Sequence, residues 1–350
     1  MLTLIYFILI LGLIVLVHEF GHFIFAKMFG VHVYEFSIGM GPKLIGTKEK
    51  KGKTSYSVRL FPIGGYVQLA GEDVTEEDKE LPKGSRLYER PAWQRFLILF
   101  FGAGNNFILA FILLLGIGLF YGSQIMDPVI TNLSSDGAMI EAGFMEGDEI
   151  VSINGNKISN IDDAKVFLTL ENDGTETTFV VKRNNENKEI KVTPKKEVDE
   201  KTKKESYKYG IVFEERLEHG IGSAFSFAFK KFGAFFKQII VTFKYLFTGK
   251  LGLNNLSGPV GIYSIVGNAA KDNVLLNLAN LTALLCINIG FLNLIPFPAF
   301  DGGRILFLLI EKIKGKPLNP KIESTVNAVG FCLLLLLIAV ITVSDIIKLF

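Results

Sequence analysis

The stretch MLTLIYFILILGLIVLVHEFGHFIF (Met1–Phe25) is an apolar run that ends with two histidines and a glutamate. No Asp, Glu, Lys or Arg precedes His18, and the residues that follow remain compatible with the same helix. A helix needs about 20 apolar residues to cross the hydrocarbon core of a bilayer. Because no small-residue cleavage site closes the run, we expect a membrane span rather than a removable signal peptide. The first predicted membrane helix covers residues 1–25.

Three further apolar runs predict a polytopic α-helical membrane protein with four transmembrane helices. The chain has 350 residues, of which 49% are hydrophobic. Its mean hydropathy of +0.37 is high for a chain that must stay soluble. Each run approaches or exceeds the length that a spanning helix needs. The further predicted spans lie at 96–122, 274–301 and 324–345.

The distribution of basic residues predicts the orientation of these spans. Twelve Lys and Arg residues lie within 26–95 and five within 304–321, whereas none precedes the first span. By the positive-inside rule, both loops lie in the cytoplasm and both termini lie outside it. The net charge of +2 does not point to a nucleic-acid partner. Cys286 and Cys332 lie in apolar runs and indicate no disulfide framework.

The long segment between the second and third spans has the composition of a soluble module. Within 125–215, turn signals such as Asn154-Gly155 and Asp173-Gly174 separate short β-branched runs. We predict a mostly β domain on the extracytoplasmic side of the membrane.

An amphipathic helix is predicted at 221–247. Its phenylalanines recur at spacings of three, four or seven residues, and Lys230, Lys237 and Lys244 occupy another face. This pattern is typical of a helix in the membrane interface, with phenylalanines toward the acyl chains and lysines toward the headgroups. The alternative is a core helix of the soluble module.

The loop at 26–95 contains two apolar, glycine-rich stretches that differ from an ordinary solvated loop. Residues 36–42 and 60–67 flank a lysine-rich turn at 48–53, and this order predicts the two strands of a hairpin. Non-helical backbone at membrane depth is tolerated only against protein or a wet cavity. We therefore expect a membrane re-entrant β element beside a functional site.

The motif HEFGH at 18–22 has the H-E-x-x-H pattern of a zinc site. On a helix, His18 and His22 project from one face and can hold the same zinc ion, and Glu19 is placed to act as a general base. Ionisable side chains this far into a span are costly and usually functional. The alternative is a polar cluster that joins the spans by hydrogen bonds.

A hydrolytic zinc site usually takes a third protein ligand, and Asp301 is the best candidate for it. His32 and His219 are the remaining histidines, but Asp301 closes the apolar run of the third span, next to two prolines that break a helix. The first and third spans run in the same direction, so Asp301 reaches a depth similar to that of the histidines. The alternative is a helix-end cap or an ion-pair partner for Arg304.

Five separated motifs share one resemblance. They are HEFGH at 18–22, FSIGMGP at 36–42, PIGGYV at 62–67, SGPVGI at 257–262 and NLIPFPAFDG at 293–302. Together they resemble the site-2 protease family, and most nearly its bacterial RseP-type intramembrane zinc metalloproteases. The resemblance extends over nearly the whole chain.

This resemblance implies a set of site residues. One Zn²⁺ would be held by His18, His22 and Asp301, with Glu19 as the catalytic base. Substrate would be held by residues near the proline-broken span and in the re-entrant β element. Those substrate-binding candidates are Asn288, Asn293, Gly64, Gly65, Tyr66 and Val67.

The resemblance also identifies the module at 125–215 as a PDZ domain. The stretches AGF at 142–144 and GDEIVSING at 147–155 carry this likeness. The best-known enterobacterial relatives have two PDZ domains in tandem, whereas this chain has room for one. The domain is expected to bind a peptide or a C-terminus, or to exclude bulky ectodomains.

The expected function is zinc-dependent cleavage of transmembrane segments in single-span membrane proteins, such as trimmed anti-sigma factors or remnant signal peptides. The expected location is the bacterial cytoplasmic membrane, with the lipid bilayer as a partner. Two alternatives remain at this point. The chain could be a non-catalytic membrane PDZ scaffold or chaperone with a structural zinc site, or an ion pathway, since buried ionisable groups also mark transporters.

Overall fold

The computed structural model describes residues 2–47, 53–72, 77–135, 137–198, 205–213, 216–252, 255–316 and 320–348. The lysine-rich turn predicted at 48–53 lies almost wholly outside the described residues. The chain divides into two compact units. The first comprises Met1–Leu113 with Gly252–Phe350, and the second comprises Leu114–Leu251.

Helices and strands alternate irregularly along the described chain. The helices are α1 (Leu2–Met28), α2 (Ala92–Phe120), α3 (Ala138–Glu141), α4 (Ile161–Leu170), α5 (Ile221–Phe247), α6 (Pro259–Ala269), α7 (Val274–Leu294), α8 (Asp301–Lys314) and α9 (Pro320–Ile347). The strands are β1 (Val33–Gly46), β2 (Ser55–Leu69), β3 (Ser123–Gln124), β4 (Ile130–Leu133), β5 (Glu149–Ile153), β6 (Asn156–Lys157), β7 (Thr177–Arg183), β8 (Glu186–Val192), β9 (Lys195–Val198), β10 (Glu205–Lys208), β11 (Ile211–Phe213) and β12 (Leu217–Glu218).

Four of the described helices are long and apolar enough to cross a membrane, namely α1, α2, α7 and α9. They correspond to the four predicted spans, but α7 ends at Leu294 and not at residue 301. Pro296 and Pro298 follow within four residues, and proline cannot donate the backbone hydrogen bond that would continue the helix. Asp301 therefore begins a separate helix, α8.

Strands β1 and β2 form an antiparallel pair whose long strands are strongly bent. Phe36 has Val67 as its partner on one side and Tyr56 on the other, and Ser37 likewise pairs with Tyr66 and Ser57. The central part of β1 is thus flanked by both halves of β2. This arrangement leaves the second half of β2 at an edge of the sheet.

The second unit contains the mostly β module that the sequence predicts. Its main sheet has the strand order β6-β5-β7-β8, and β4 pairs with β11. Phe179 and Ile150 are fully buried in its core, together with Phe167 of α4. The module therefore has a hydrophobic core of its own.

An ion pair lies beside this core. Burial tends to raise the pKa of the Asp148 carboxyl, but the hydrogen bonds that it accepts from Arg183 and from the N–H of Met145 lower that pKa overall.

Helix α5 occupies the predicted range, and its lysine face contacts the module. Lys237 donates to Asp163 Oδ2 at 2.6 Å, and Lys231 pairs with Asp162 at 2.7 Å. Val241 and Tyr245 belong to the core of the module. The lysines therefore meet acidic side chains at the start of α4, and the outward face carries exposed Phe225, Phe229 and Phe247.

The motif SGPVGI at 257–262 is explained by a contact between α6 and α9. The carboxylate of Asp345 accepts hydrogen bonds from the N–H groups of Gly258 and Gly261, each at 2.8 Å. The first N–H groups of a helix lack partners within the helix, so a carboxylate there stabilises the helix start. The last turns of α9 are thereby attached to the first turn of α6.

Candidate metal centre

Three side chains from α1 and α8 meet at one point. His18 Nε2 and His22 Nε2 lie 3.3 Å apart. Asp301 Oδ2 lies 3.2 Å from His18 Nε2 and 3.4 Å from His22 Nε2. Both histidines are buried, and these three residues form a group able to hold a metal ion. The structure thus brings together the three ligands that the sequence predicts, and neither His32 nor His219 belongs to this group.

The helical spacing and a contact with α2 fix the orientation of the imidazoles. Residues four apart on a helix lie on the same face, which places the two rings side by side. His22 Nδ1 lies 2.8 Å from the carbonyl oxygen of Ile98, and a carbonyl only accepts. Nδ1 therefore carries the proton, and Nε2 presents its lone pair toward Asp301. Such an outer contact is typical of metal-ligating histidines.

Two glycines allow α1 and α2 to approach closely at this point. A Cβ added at Gly21 would lie 1.9 Å from the carbonyl oxygen of Phe101. A Cβ added at Gly102 would lie 2.3 Å from His22 Nε2 and 3.0 Å from His18 Cε1. Small residues of this kind let membrane helices pack backbone to backbone. Gly102 therefore forms one wall of the site.

The break after α7 delivers the third side chain. Residues 295–300 form a tight connection with hydrogen bonds from Phe297 N to Ile295 O and from Phe300 N to Phe297 O. Asp301 is the first residue of α8, and its carboxylate faces the two histidines. Arg304, the alternative partner for Asp301, pairs instead with Glu72. The ion-pair alternative for Asp301 is thus not what the structure shows.

Glu19 is held by the edge of the β1–β2 sheet. Its Oε2 accepts a hydrogen bond from the backbone N–H of Val67 at 3.0 Å. It also lies within electrostatic range of His18, His22 and Asp301. One carboxylate oxygen of Glu19 is thereby fixed next to the three-residue group.

The donor set fits a zinc ion. Zinc accepts imidazole nitrogen and carboxylate oxygen at about 2.0–2.1 Å, and in a tetrahedral site such ligand atoms lie about 3.3 Å from one another. The three separations here are 3.2, 3.3 and 3.4 Å. Three protein ligands also match the count of a catalytic zinc site, which keeps one position open.

The remaining predicted residues lie on the elements expected to carry them. Asn288 and Asn293 are partly buried on α7, and their spacing of five residues places them about 140° apart around the helix. Gly64, Gly65 and Tyr66 lie on β2 beside Val67. A role for any of them in holding substrate stays a prediction.

Several contacts of the site were not foreseen from the sequence. The wall at Gly102 and the carbonyl of Ile98 come from α2, to which the sequence reading assigned no part in the site. Asn106, one turn beyond Gly102, is fully buried, and its amide has no hydrogen-bond partner among the described residues. The glycines and asparagines in FGAGNN at 101–106, within an otherwise apolar run, are the signal that points to this helix face.

A helix-borne H-E-x-x-H motif joined by a carboxylate from a distant helix defines a metallopeptidase type of site. The signature of peptidase family M50 matches residues 6–337, and the chain belongs to this family. This assignment confirms the resemblance to site-2 proteases.

Similar proteins match nearly the whole of this chain. The regulator of sigma-W protease RasP from Bacillus subtilis is 34% identical, with 99% of each chain covered. A Fusobacterium nucleatum protein, provisionally named a zinc metalloprotease, is 39% identical with 98% of each chain covered. The zinc metalloprotease RasP from Bacillus licheniformis is 32% identical, with 99% of each chain covered.

Gly102→Ala is expected to weaken zinc binding by at least about tenfold, as changes to groups that support metal ligands do. The added methyl would occupy the space of the His22 ring. The measurement is a competition titration of the purified protein with a chromophoric chelator. Gly116→Ala, in the same helix but with open space around it, is the matched control. Equal zinc affinity in both variants would show that Gly102 does not shape the site.

Proposed function

We propose that this chain is a zinc-dependent intramembrane endopeptidase. The proposal is carried by one observation: His18 and His22, on a helix long and apolar enough to span a membrane, lie within hydrogen-bonding distance of Asp301. Membership of peptidase family M50 and the names of its relatives support the same activity.

The residues of the site would have distinct roles in peptide hydrolysis. His18, His22 and Asp301 would hold the zinc ion, which supplies Lewis-acid chemistry by polarising the scissile carbonyl and activating water at neutral pH. Glu19 would take the proton from the attacking water and pass it to the leaving amine. Because the Val67 N–H donates a hydrogen bond to Glu19 Oε2, the other carboxylate oxygen, Glu19 Oε1, would carry out the proton transfer.

Glu19→Gln and Asp301→Ala test these roles separately. Glu19→Gln should retain zinc but lower cleavage of a model single-span substrate by about 100- to 10,000-fold, the usual contribution of a general base. Asp301→Ala should lose zinc as well as activity. The measurements are metal content of the purified protein and substrate cleavage in proteoliposomes.

The same pair of variants decides between the protease and the scaffold alternative. A scaffold with a structural zinc site would not depend on the Glu19 carboxylate. Cleavage by Glu19→Gln at the wild-type rate would therefore contradict the proposed mechanism.

The orientation proposed for the chain follows its basic residues. The regions 26–95 and 304–321 are placed in the cytoplasm, and the module and both termini are placed on the extracytoplasmic side of a bacterial cytoplasmic membrane. The exposed phenylalanines of α5 support contact of that helix with the membrane interface.

The β1–β2 hairpin is proposed to enter the membrane beside α1. The N–H of Val67 contacts Glu19, and a Cβ added at Gly12 would lie 3.0 Å from the carbonyl oxygen of Pro62. These two contacts are about 10 Å apart along α1, so the hairpin follows the helix toward its middle. Many of its exposed side chains are apolar, including Ile45 and Phe61. An exposed apolar patch of this kind suits lipid.

We further propose that substrate adds as a strand to the edge of this sheet. The second half of β2 lies at that edge, next to Glu19. A transmembrane helix hides its peptide bonds, and strand addition would exchange its helical hydrogen bonds for ladder bonds. The extended segment would then pass the three-residue group.

Cysteine cross-linking tests strand addition. Gln68 is exposed on β2, and Gln68→Cys, with Cys286 and Cys332 replaced and Glu19→Gln to retain substrate, should cross-link to single cysteines in the scissile segment. Cross-linking should alternate with a period of two residues, because alternate side chains of a strand lie on the same face. A period of three to four residues would mean that the substrate stays helical. Proline at Val67 would be a poorer test, because it would also remove the hydrogen bond to Glu19.

The β module is proposed to be a PDZ domain that excludes bulky ectodomains, so that only substrates already trimmed outside the membrane are cut. Its own core and its separation as a compact unit support an independent domain. The name of the Bacillus subtilis relative supports membrane-anchored anti-sigma factors as a substrate class.

Replacing residues 123–250 with a flexible linker tests the filter. The deletion must include α5, because Val241 and Tyr245 would otherwise lose the core they are buried in. The shortened enzyme should cut both full-length and trimmed model substrates, whereas the wild type should cut only the trimmed one. Continued dependence on trimming would contradict a filtering role, and equal cleavage of the trimmed substrate confirms that the shortened enzyme is folded.

A further inference from the structure

The connection that delivers Asp301 contains a strained backbone position. Ala299 has φ = 77°, in the left-handed region of backbone conformation that residues other than glycine rarely adopt. Two residues later the chain begins α8 with Asp301. A conformation of this kind persists only when the surrounding structure holds it. Relaxation of Ala299 would move the start of α8 and the carboxylate that faces the histidines.

Helix α9 contacts this connection at two adjacent residues. The N–H of Ala299 lies 3.4 Å from Asn327 Oδ1, which is placed to accept its hydrogen bond. A Cβ added at Gly330 would lie 2.4 Å from Pro298 Cβ and 2.8 Å from the Pro298 carbonyl oxygen. Gly330 is buried, whereas most of α9 is exposed. On one turn of α9, Asn327 accepts a hydrogen bond from Ala299, and on the next turn the backbone at Gly330 packs against Pro298.

The position of α9 along its axis is set at its other end. Asp345 binds the N–H groups of Gly258 and Gly261 at the start of α6. In the most apolar stretch of α9, only 6% of the residues are buried. The contacts at Asp345 and those at Asn327 and Gly330 therefore hold α9 at two separate places along its length.

We propose that Asn327 and Gly330 are positioning residues for the zinc ligand Asp301. Their contacts with Pro298 and Ala299 hold the left-handed conformation of Ala299. That conformation fixes the position of Asp301 at the start of α8. This inference rests on the proposed function, because it takes Asp301 to be a zinc ligand. It gives α9 a part in zinc binding although the helix itself contributes no ligand.

Zinc affinity and the absorption spectrum of the Co²⁺-substituted protein test the proposal in purified full-length chain. Gly330→Ala should push Pro298 away and weaken zinc by about tenfold, the lower end of the effect of losing a ligand-supporting contact. Asn327→Ala should weaken zinc in the same direction, and it introduces no added volume that threatens folding. The visible bands of bound Co²⁺ should shift in both variants, because they report ligand geometry. Gly116→Ala, a glycine of α2 with open space around it, should change neither measurement.

A rescue variant separates positioning from a general loss of structure. Glycine adopts φ = 77° without strain, so Ala299→Gly should restore zinc affinity when added to Asn327→Ala. If zinc affinity is not restored in this double variant, Asn327 does not act by holding the conformation of Ala299. Wild-type affinity and an unshifted Co²⁺ spectrum in Gly330→Ala and Asn327→Ala would overturn the proposal.

The outcome also distinguishes this inference from the function on which it rests. A wild-type protein that binds no zinc, or that binds it equally well after Asp301→Ala, would remove the proposed function and the inference with it. Zinc binding that needs Asp301 but ignores Asn327 and Gly330 would remove the inference alone.

Discussion

Two imidazoles from a helix of membrane-spanning composition and one carboxylate from the start of another helix meet at a single point, and the backbone around them is arranged to allow this. Polar side chains in an apolar interior are costly unless they are paired or bind a metal ion. His18 and His22 come from one continuous helix, whereas Asp301 is the first residue of a separate helix. The chain meets this requirement by ending α7 at Leu294 and starting α8 at Asp301.

Each irregular piece of backbone near the site is held by a regular element. The edge of β2 contacts α1 through the hydrogen bond from Val67 to Glu19. The connection before Asp301 contacts α9 through Asn327. Non-helical backbone in a membrane protein needs such partners, because lipid cannot satisfy its polar groups. The same contacts that satisfy the backbone also orient the groups proposed to perform the chemistry.

Much of this arrangement is predictable from the sequence because its signals are local. Apolar runs and the H-E-x-x-H spacing depend on helix geometry alone, so the spans and the histidine pair could be predicted. The prolines that follow Leu294 could also have placed the end of α7 earlier than residue 301. Other features depend on how helices cross. The wall at Gly102 arises where α2 meets the imidazoles of α1, and the contact at Gly330 arises where α9 meets Pro298. Helical periodicity does not reveal which glycine will face which neighbour. The acidic partners of the α5 lysines were missed for the same reason.

X-ray absorption spectroscopy of the purified, zinc-loaded protein identifies the atoms that bind the metal. Zinc held by His18, His22 and Asp301 should give a first shell of nitrogen and oxygen atoms at about 2.0–2.1 Å, with the outer scattering of two imidazole rings. A sulfur shell at about 2.3 Å would place the metal on a cysteine and contradict the site built by His18, His22 and Asp301.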